Sequence, residues 1–394
     1  MRVAFFHSGW DLYGASRSLL RLASALRADG HAALAILPSP GPLSDALRAA
    51  GVEVEDRVGL RALHRPELRL PRVLPFLGGV PASLARCGRA LRRFRADLAH
   101  SNTGTVLTGA LSARLADLPH LWHVRDMFDE FGLPWKAWGR WILASSGRVV
   151  CVSRAVAAQF DAFGAAAAKV EVLPNGLPPG EFAPPPGGWD APAAALRSSW
   201  GVAPGECAVG ILGRIKLGRK GHEVLARAFR RLLDGGGNRA RLVVVGAPFP
   251  GNEEHELRLR ALVRELGSSE RVVFAGELPD PRPALAALDV VALPSARPEP
   301  FSGVVLEAMA MGKPVVGTAS GGTVEQVEEG ATGFLVPPGD PVALGEALGR
   351  LAADPALRAR MGAAGRRRFE EKFTFAPMYA RLLALYAEAL GRTP

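Results

Sequence analysis

Short apolar runs of strand length recur along this chain, separated by stretches with helical periodicity, and the whole alternation occurs twice. The first series falls at residues 2–7, 32–37, 97–101, 121–124, 148–153 and 170–173, and the second at 208–212, 241–245, 271–274, 289–293, 314–317 and 333–336. Strand followed by helix, repeated, requires a parallel sheet covered on both faces. Between the two series lies GLPPGEFAPPPGG, residues 176–188, too rich in Pro and Gly to be the interior of any element. The expected class is therefore α/β. Two consecutive doubly wound, Rossmann-like domains are predicted at residues 1–178 and 179–373, and 394 residues suffice for a core in each. The ligand is expected in a cleft where the C-terminal strand ends of the two face each other. An amphipathic helix is predicted over 16–28, a basic helix over 355–372 and an amphipathic tail helix over 373–390. Residues 58–84, rich in Pro and Arg without a clear period, predict a surface loop or a variable excursion.

Composition narrows the partners. Lys and Arg exceed Asp and Glu by 48 − 38 = 10, which favours nucleotide phosphates or an acidic membrane face. No aromatic-basic motif of the nucleic-acid type occurs, so nucleic acid is not an expected partner. Cys87, Cys151 and Cys207 form no CxxC pair, which predicts a reducing compartment and no metal centre. No run of ~18 apolar residues is present. The expected location is the cytoplasm, with peripheral contact on the inner face of the plasma membrane left open. His222-Glu223 and His255-Glu256 lack the second His of a zinc-protease helix, and no Gly-x-Ser-x-Gly elbow appears, so hydrolases lose ground.

The most informative stretch is RPEPFSGVVLEAMAMGKPVV, residues 297–316. Ser302 reads as an N-cap, 303–311 as a short buried helix, and Gly312 with Pro314 as its stop. Its only charge is Glu307, which requires a cationic or hydrogen-bonding partner. Glu299 precedes the helix, at the positive end of its dipole. Such a helix start suits a phosphorylated sugar; the plainer alternative is a core ion pair and a solvated loop acid. After the strand at 208–212, Gly213 frees the turn, and Arg214 and Lys220 can neutralise a diphosphate together, one as a fork and one as a point charge. A basic solvated loop is the alternative. Lys220 is followed by Gly221, where a Walker loop would carry Ser or Thr, so no Mg²⁺ ligand follows. Gly321 and Gly322, before a helix starting near Thr323, form either an anion nest or a tight turn. His123 and Asp126 lie at a strand end. His100 ends another, and Ser101 and Asn102 after it either meet an acceptor or, the favoured reading, cap a helix near Thr103.

The Glu-x7-Glu spacing within EPFSGVVLEAMAMGKPVV resembles the signature of the retaining, nucleotide-sugar-dependent glycosyltransferases of family 4, which have the GT-B fold. The resemblance is strongest over 170–338. It implies that Arg214 and Lys220 bind the donor diphosphate with the backbone of Gly321, Gly322 and Thr323. Gly14 and Ala15 in GWDLYGASRS would add amides, although the family usually has adjacent glycines there. It implies further that His123, with Asp126, and Glu299 hold the transferred sugar, that Glu307 holds ribose or orients the phosphates, and that His100 and Asn102 lie toward the acceptor. The tail, 374–394, would cross back to the N-terminal domain. No metal and no cofactor are implied, the donor being a UDP- or GDP-linked sugar. The implied reaction moves a hexosyl-type sugar to a glycan or lipid-linked acceptor in cell-surface polysaccharide or glycolipid synthesis. An epimerase or glycan phosphorylase on the same architecture, and a catalytically silent nucleotide- or glycan-binding module, are the competing readings. Arg86, Arg89, Arg92, Arg93 and Arg95, and Trp135, Trp138 and Trp141 beside Lys136 and Arg140, suit an anionic bilayer; a solvated helix and a core aromatic stripe are the alternative.

Overall fold

The computed structural model describes residues 1–63, 71, 73–128, 133–237 and 239–392. Two compact units result: Met1–Asn175 with Pro377–Pro394, and Gly176–Ala376. The proline-rich run had placed the break at 178/179. The difference has a backbone cause, because Leu177 N–H donates to the Phe373 carbonyl and Phe375 N–H to that of Leu177, which draws 176–178 into the second unit.

In the first unit the strands are β1 (Arg2–Phe6), β2 (Ala32–Ile36), β3 (Glu53–Glu55), β4 (Leu98–Ser101), β5 (His120–Val124), β6 (Arg148–Cys151) and β7 (Val170–Val172). They form one parallel sheet in the order β3-β2-β1-β4-β5-β6-β7. The order reverses between β1 and β4, where Val3 pairs with Leu98. β3 was not anticipated, since Glu-Val-Glu offers a single apolar residue and only its position beside β2 makes it a strand. Its core gathers Val3, Phe5, Leu19, Leu22 and Leu121, and takes Leu382, Leu385 and Tyr386 from the helix Phe375–Ala389. The apolar face of the predicted tail helix is thereby buried.

β8 (Cys207–Leu212), β9 (Ala240–Val245), β10 (Val272–Gly276), β11 (Val290–Leu293), β12 (Val315–Thr318) and β13 (Gly333–Val336) make the second unit's sheet. It too is parallel, in the order β10-β9-β8-β11-β12-β13, with the reversal between β8 and β11. Every residue of β8 and β11 is buried, as sheets covered on both faces require. Val209, Ile211, Val244, Phe229 and Leu232 pack there, the last two from the helix His222–Asp234.

Residues 58–84 contain more order than a loop reading allowed, with helices at Val73–Gly78 and from Val80 in Val80–Phe94; 64–70 and 72 lie outside the described residues. Arg86, Arg89, Arg92, Arg93 and Arg95 are exposed, and Arg93 pairs with Glu55. The tryptophan stripe turns into protein. Trp135 stacks on Phe128 with centroids 4.2 Å apart, and Trp138 Nε1 donates to the Gly104 carbonyl at 2.7 Å. Among the described residues no helix is long and apolar enough to cross a membrane.

Two predictions concern stability. Leu385 has no exposed surface, so Leu385→Ala should cost about 2–5 kcal/mol and lower the urea midpoint of the full chain; an unchanged midpoint would show the tail helix undocked. Burial holds the imidazoles of His7 at about 3 and of His120 and His222 at about 4, well under the ordinary 6.5. Unfolded imidazoles take up a proton below that ordinary value while these folded ones do not. Stability is therefore lost as pH falls from about 6.5 toward 4, by about 2 kcal/mol per residue at pH 5. Urea unfolding at pH 7.5 and at pH 5 measures this, and equal stabilities would contradict it.

Candidate functional site

In an open parallel sheet, ligands sit beyond the C-terminal strand ends where the strand order reverses, because adjacent loops diverge there. In the second unit that point lies between the loops after β8 and β11, and the predicted residues Arg214, Lys220 and Glu299 are on those loops.

The loop after β8 is shaped by glycines. Gly213 has φ +131°, and the chain next to it is so close that a Cβ on Gly246 would lie 2.1 Å from its carbonyl oxygen. Gly221, at φ +74°, brings the loop within touching distance of Pro294, where a Cβ would lie 1.8 Å from the carbonyl oxygen. Only glycine fits. Ala296 N–H also donates to the Arg219 carbonyl at 2.8 Å. The two loops are thus joined main chain to main chain, and the side chains that follow meet.

Lys220 Nζ donates to both carboxylate oxygens of Glu299, at 2.8 and 3.0 Å, and Ser295 Oγ donates to Oε1 at 2.9 Å. Burial raises the Glu299 carboxyl, but Lys220 and these hydrogen bonds outweigh it and hold the group below its usual range. The carboxylate is buried, whereas the Lys220 side chain is 32% exposed. Of three ammonium N–H groups two are committed to Glu299, so among the described residues the third remains for solvent or a ligand. Arg214 lies with its guanidinium 4.8 Å from the centre of the Phe249 ring, a cation held over an aromatic face.

Glu299 is set in place from behind. Gly322 N–H donates to the Glu299 carbonyl at 2.8 Å; a Cβ on Gly321 would lie 2.4 Å from that same oxygen, and one on Gly322 would lie 2.2 Å from the Pro300 carbonyl oxygen. Of the two readings of these glycines the tight turn is the one seen: the Gly322 amide is spent on the neighbouring loop in this conformation, and both glycines are demanded by close approach. Thr323 is buried and opens a helix of a single turn, Thr323–Gln326.

The helix Gly303–Ala310 follows, but Ser302 does not cap it with its side chain. Gln326 does the holding instead: its Oε1 accepts from Ser302 N–H at 3.0 Å and its Nε2 donates to the Ser302 carbonyl at 2.8 Å. Glu307 is buried, and its Oε1 lies 3.8 Å from where a Cβ on Gly303 would be, so its carboxylate turns back toward the start of the helix. Lys313 is structural, donating to the carbonyls of Ala286 and Leu288.

The first unit has its own polar cluster at the reversal between β1 and β4. His7, just past β1, accepts at Nδ1 from Asn102 Nδ2 at 3.2 Å, and its Nε2 lies 2.9 Å from Ser16 Oγ. Asn102 Nδ2 also donates to the Ala15 carbonyl, and its Oδ1 accepts from Arg125 Nε at 3.1 Å. Both N–H groups of Asn102 are therefore committed, and its oxygen is bonded as well. The capping expectation for it and Ser101 is corrected, because the nearest helix, Leu107–Leu115, starts later behind Val106, and Ser101 Oγ instead lies 2.9 Å from His120 Nε2. Gly14 and Ala15 stand in the first turn of Gly14–Ala28, where amides lack intrahelical acceptors, and nothing lies within 4 Å of a Cβ placed on Gly14.

His123 and His100 are buried, with ring centroids 5.4 Å apart. Arg125 can only donate, so its Nη2 contact of 3.2 Å makes His123 Nδ1 an acceptor and leaves the proton on Nε2. Burial raises the Tyr386 phenol well above its ordinary value, and its hydroxyl lies 2.5 Å from His100 Nδ1. Neither Nε2 has a partner among the described residues. Burial and then the charge of Arg125 keep both rings neutral. Asp126 is tied elsewhere, its Oδ2 accepting from Gly104 N–H at 2.7 Å, which assigns it to loop structure.

Sequence reasoning missed Arg125, Asn175, Tyr386, Ser295 and Gln326. Arg125 stands inside the quoted WHVRD run between two residues that were picked out; the others carry no local pattern, since their partners lie 4 to 286 residues away.

Comparisons with known proteins agree with this layout. The family model "Glycosyltransferase Family 4" matches residues 13–181, and "Glycosyl transferases group 1" matches 206–354. Relatives named D-inositol 3-phosphate glycosyltransferase include one from Nocardia farcinica, 36% identical over 56% of this chain and 48% of its own length. Another, from Xylanimonas cellulosilytica, is 34% identical over 64% and 60%. The chain thus spans about half the length of the curated relatives it matches. Among solved structures, Anabaena HepE in complex with UDP-glucose superposes with a TM-score of 0.84 at 24% identity, over 98% of this chain and 100% of that one. Sucrose-phosphate synthase from Thermosynechococcus elongatus gives 0.78 at 23%, over 99% and 100%. Both show the same fold, GT-B. With one family domain on each unit and the two sheets of that fold, the chain belongs to the family 4 glycosyltransferases.

Proposed function

We propose that this protein transfers a hexosyl-type sugar, with retention of anomeric configuration and without a metal ion, from a UDP- or GDP-linked donor to a glycan or lipid-linked acceptor. The observation that carries the reading is the Lys220–Glu299 pair at the strand-order reversal of the second sheet, buried on the acid side and open on the ammonium side. Departure of a nucleoside diphosphate builds negative charge on the leaving phosphate and positive charge on the sugar ring. Lys220 meets the first with its uncommitted N–H, and Arg214 adds a second cation on the same loop. Glu299, ionised and fixed by three hydrogen bonds, accepts from sugar hydroxyls on its remaining lone pairs. Glu307, turned toward the helix start, is assigned to the ribose hydroxyls. In the first unit, His123 offers a neutral Nε2–H that can donate to a hydroxyl oxygen. The donor assignment is supported by Anabaena HepE, a structure of the same fold that holds UDP or UDP-glucose. A sugar-phosphate or lipid-linked acceptor is in keeping with the inositol 3-phosphate named for the relatives and with WaaG, which shares the fold at a TM-score of 0.72 and acts in lipopolysaccharide biosynthesis. The setting proposed is cytoplasmic synthesis of cell-surface polysaccharide or glycolipid, with the exposed arginines of the helix Val80–Phe94 against the anionic inner face of the membrane.

Lys220→Ala should lower kcat/KM with the correct donor by at least about 100-fold and weaken UDP binding, while Lys220→Arg should recover part of both. Steady-state kinetics on a panel of UDP- and GDP-sugars, with calorimetric titration of UDP, measures this. Transfer surviving Lys220→Ala within a few-fold, in protein shown to be folded, would refute the assignment.

A further inference from the structure

Arg125 is a guanidinium with no carboxylate within ion-pair distance among the described residues; the acid that acts on it is its chain neighbour Asp126. It follows β5 on the C-terminal side of the first sheet, half-buried, beside the reversal between β1 and β4. A guanidinium has five N–H groups. Three are committed, from Nε to Asn102 Oδ1, from Nη1 to Asn175 Oδ1 and from Nη2 to His123 Nδ1, and every one of these acceptors is neutral. That leaves 5 − 3 = 2, one on each terminal nitrogen. Asp126, next in the chain, makes no hydrogen bond or ion pair to Arg125, its Oδ2 accepting from Gly104 N–H, and acts on the guanidinium only through space. The contrast within this protein is sharp, since Arg93, Arg197, Arg271, Arg282 and Arg381 all have carboxylate partners.

A cation drawn from water and held only by neutral acceptors is costly, and the cost falls when a ligand brings the missing charge. The surroundings favour such a ligand. His123 Nε2–H is buried and has no partner, so a hydrogen-bond donor already stands beside the guanidinium. The three contacts fix the plane of the fork from β4, β5 and the end of β7, which is how an arginine is prepared for an oxyanion.

We propose that Arg125, with His123 Nε2–H beside it, binds an anionic oxygen group, a phosphate or a carboxylate, carried by the acceptor substrate. The inference rests on the glycosyltransferase reading for the word acceptor, and on Arg125 alone for the anion. The donor's phosphates have their own cations, Arg214 and Lys220, on the second unit. Acceptors bearing a phosphate or carboxylate near the accepting hydroxyl are thereby selected over their neutral counterparts.

Equilibrium dialysis with radiolabelled inorganic phosphate tests this, on the full chain with and without saturating UDP, in the wild type, Arg125→Gln, Arg125→Lys and Lys220→Ala. The expected result is phosphate binding to the UDP-saturated wild type that is weakened at least about tenfold in Arg125→Gln, partly kept in Arg125→Lys and unchanged in Lys220→Ala. UDP binding by Arg125→Gln should match the wild type, which also shows that the variant is folded; were it unfolded, the comparison of Arg125→Lys with the wild type decides in the same way. Equal phosphate binding in Arg125→Gln, or none by the wild type, overturns the anion site and leaves Arg125 as a strap between strand ends. Loss of UDP binding in a folded Arg125 variant gives the anion to the donor and overturns the acceptor assignment. Acetate as competitor separates carboxylate from phosphate. A wild type that ignores UDP but binds phosphate through Arg125 would refute the transferase reading while leaving the anion site standing.

Discussion

The ion pair between Lys220 and Glu299 is the contact on which the second unit's site depends. A carboxylate as buried as that of Glu299 stays ionised only because an ammonium faces both its oxygens and a serine hydroxyl faces one. Removing either charge would leave the other stranded in a poorly solvated place, so the two loops are coupled by electrostatics as well as by their main chains. The pair is asymmetric in exposure: the acid is fixed within protein while the cation keeps one N–H toward solvent. A ligand phosphate can then approach Lys220 without first breaking the bond that positions it.

The first unit handles charge in the opposite way. Its cluster contains three buried imidazoles, all held neutral, around one guanidinium that burial lowers to about 10 and that therefore keeps its charge at neutral pH. Arg125 dictates the tautomer of His123, and Tyr386, from the tail helix, ties down Nδ1 of His100. Because both Nδ1 atoms are already hydrogen-bonded, neither is free to take a proton from a substrate. The uncommitted groups of Arg125 and the Nε2–H of His123 are donors, which suits the binding of oxygen atoms rather than the removal of protons.

Much of this was legible in the sequence where the signal was periodic. Twelve apolar runs correspond to twelve of the strands, and the boundary placed at 178/179 lies three residues from the change of unit at 175/176. β3 was missed because Glu53 and Glu55 flank its one apolar residue. Lys220 and Glu299, picked out separately along the sequence, are brought together by the fold. Where the reading erred, it assigned a nearby residue work done by a distant one: Ser302 was expected to cap its own helix, but Gln326 clamps it, and Asn102 was expected to cap the next turn, but it joins His7 to Arg125. Short-range propensity cannot see a partner brought close by the fold.

The glycines show the same limit from another side. Gly321-Gly322 before a helix start fits an anion nest, and by local pattern alone that reading is sound. What the pattern does not contain is the chain that runs past: the Glu299 and Pro300 carbonyls lie where side chains would have to go, and one of them takes the Gly322 amide. Gly221 against Pro294 repeats the arrangement on the other side of the site. Three loops from β8, β11 and β12 thus meet backbone to backbone around Glu299, with no side-chain volume between them. Absent side chains there leave the carboxylate little freedom to drift. The glycines hold the acid and the ammonium in fixed register, which a nest of free amides would not do.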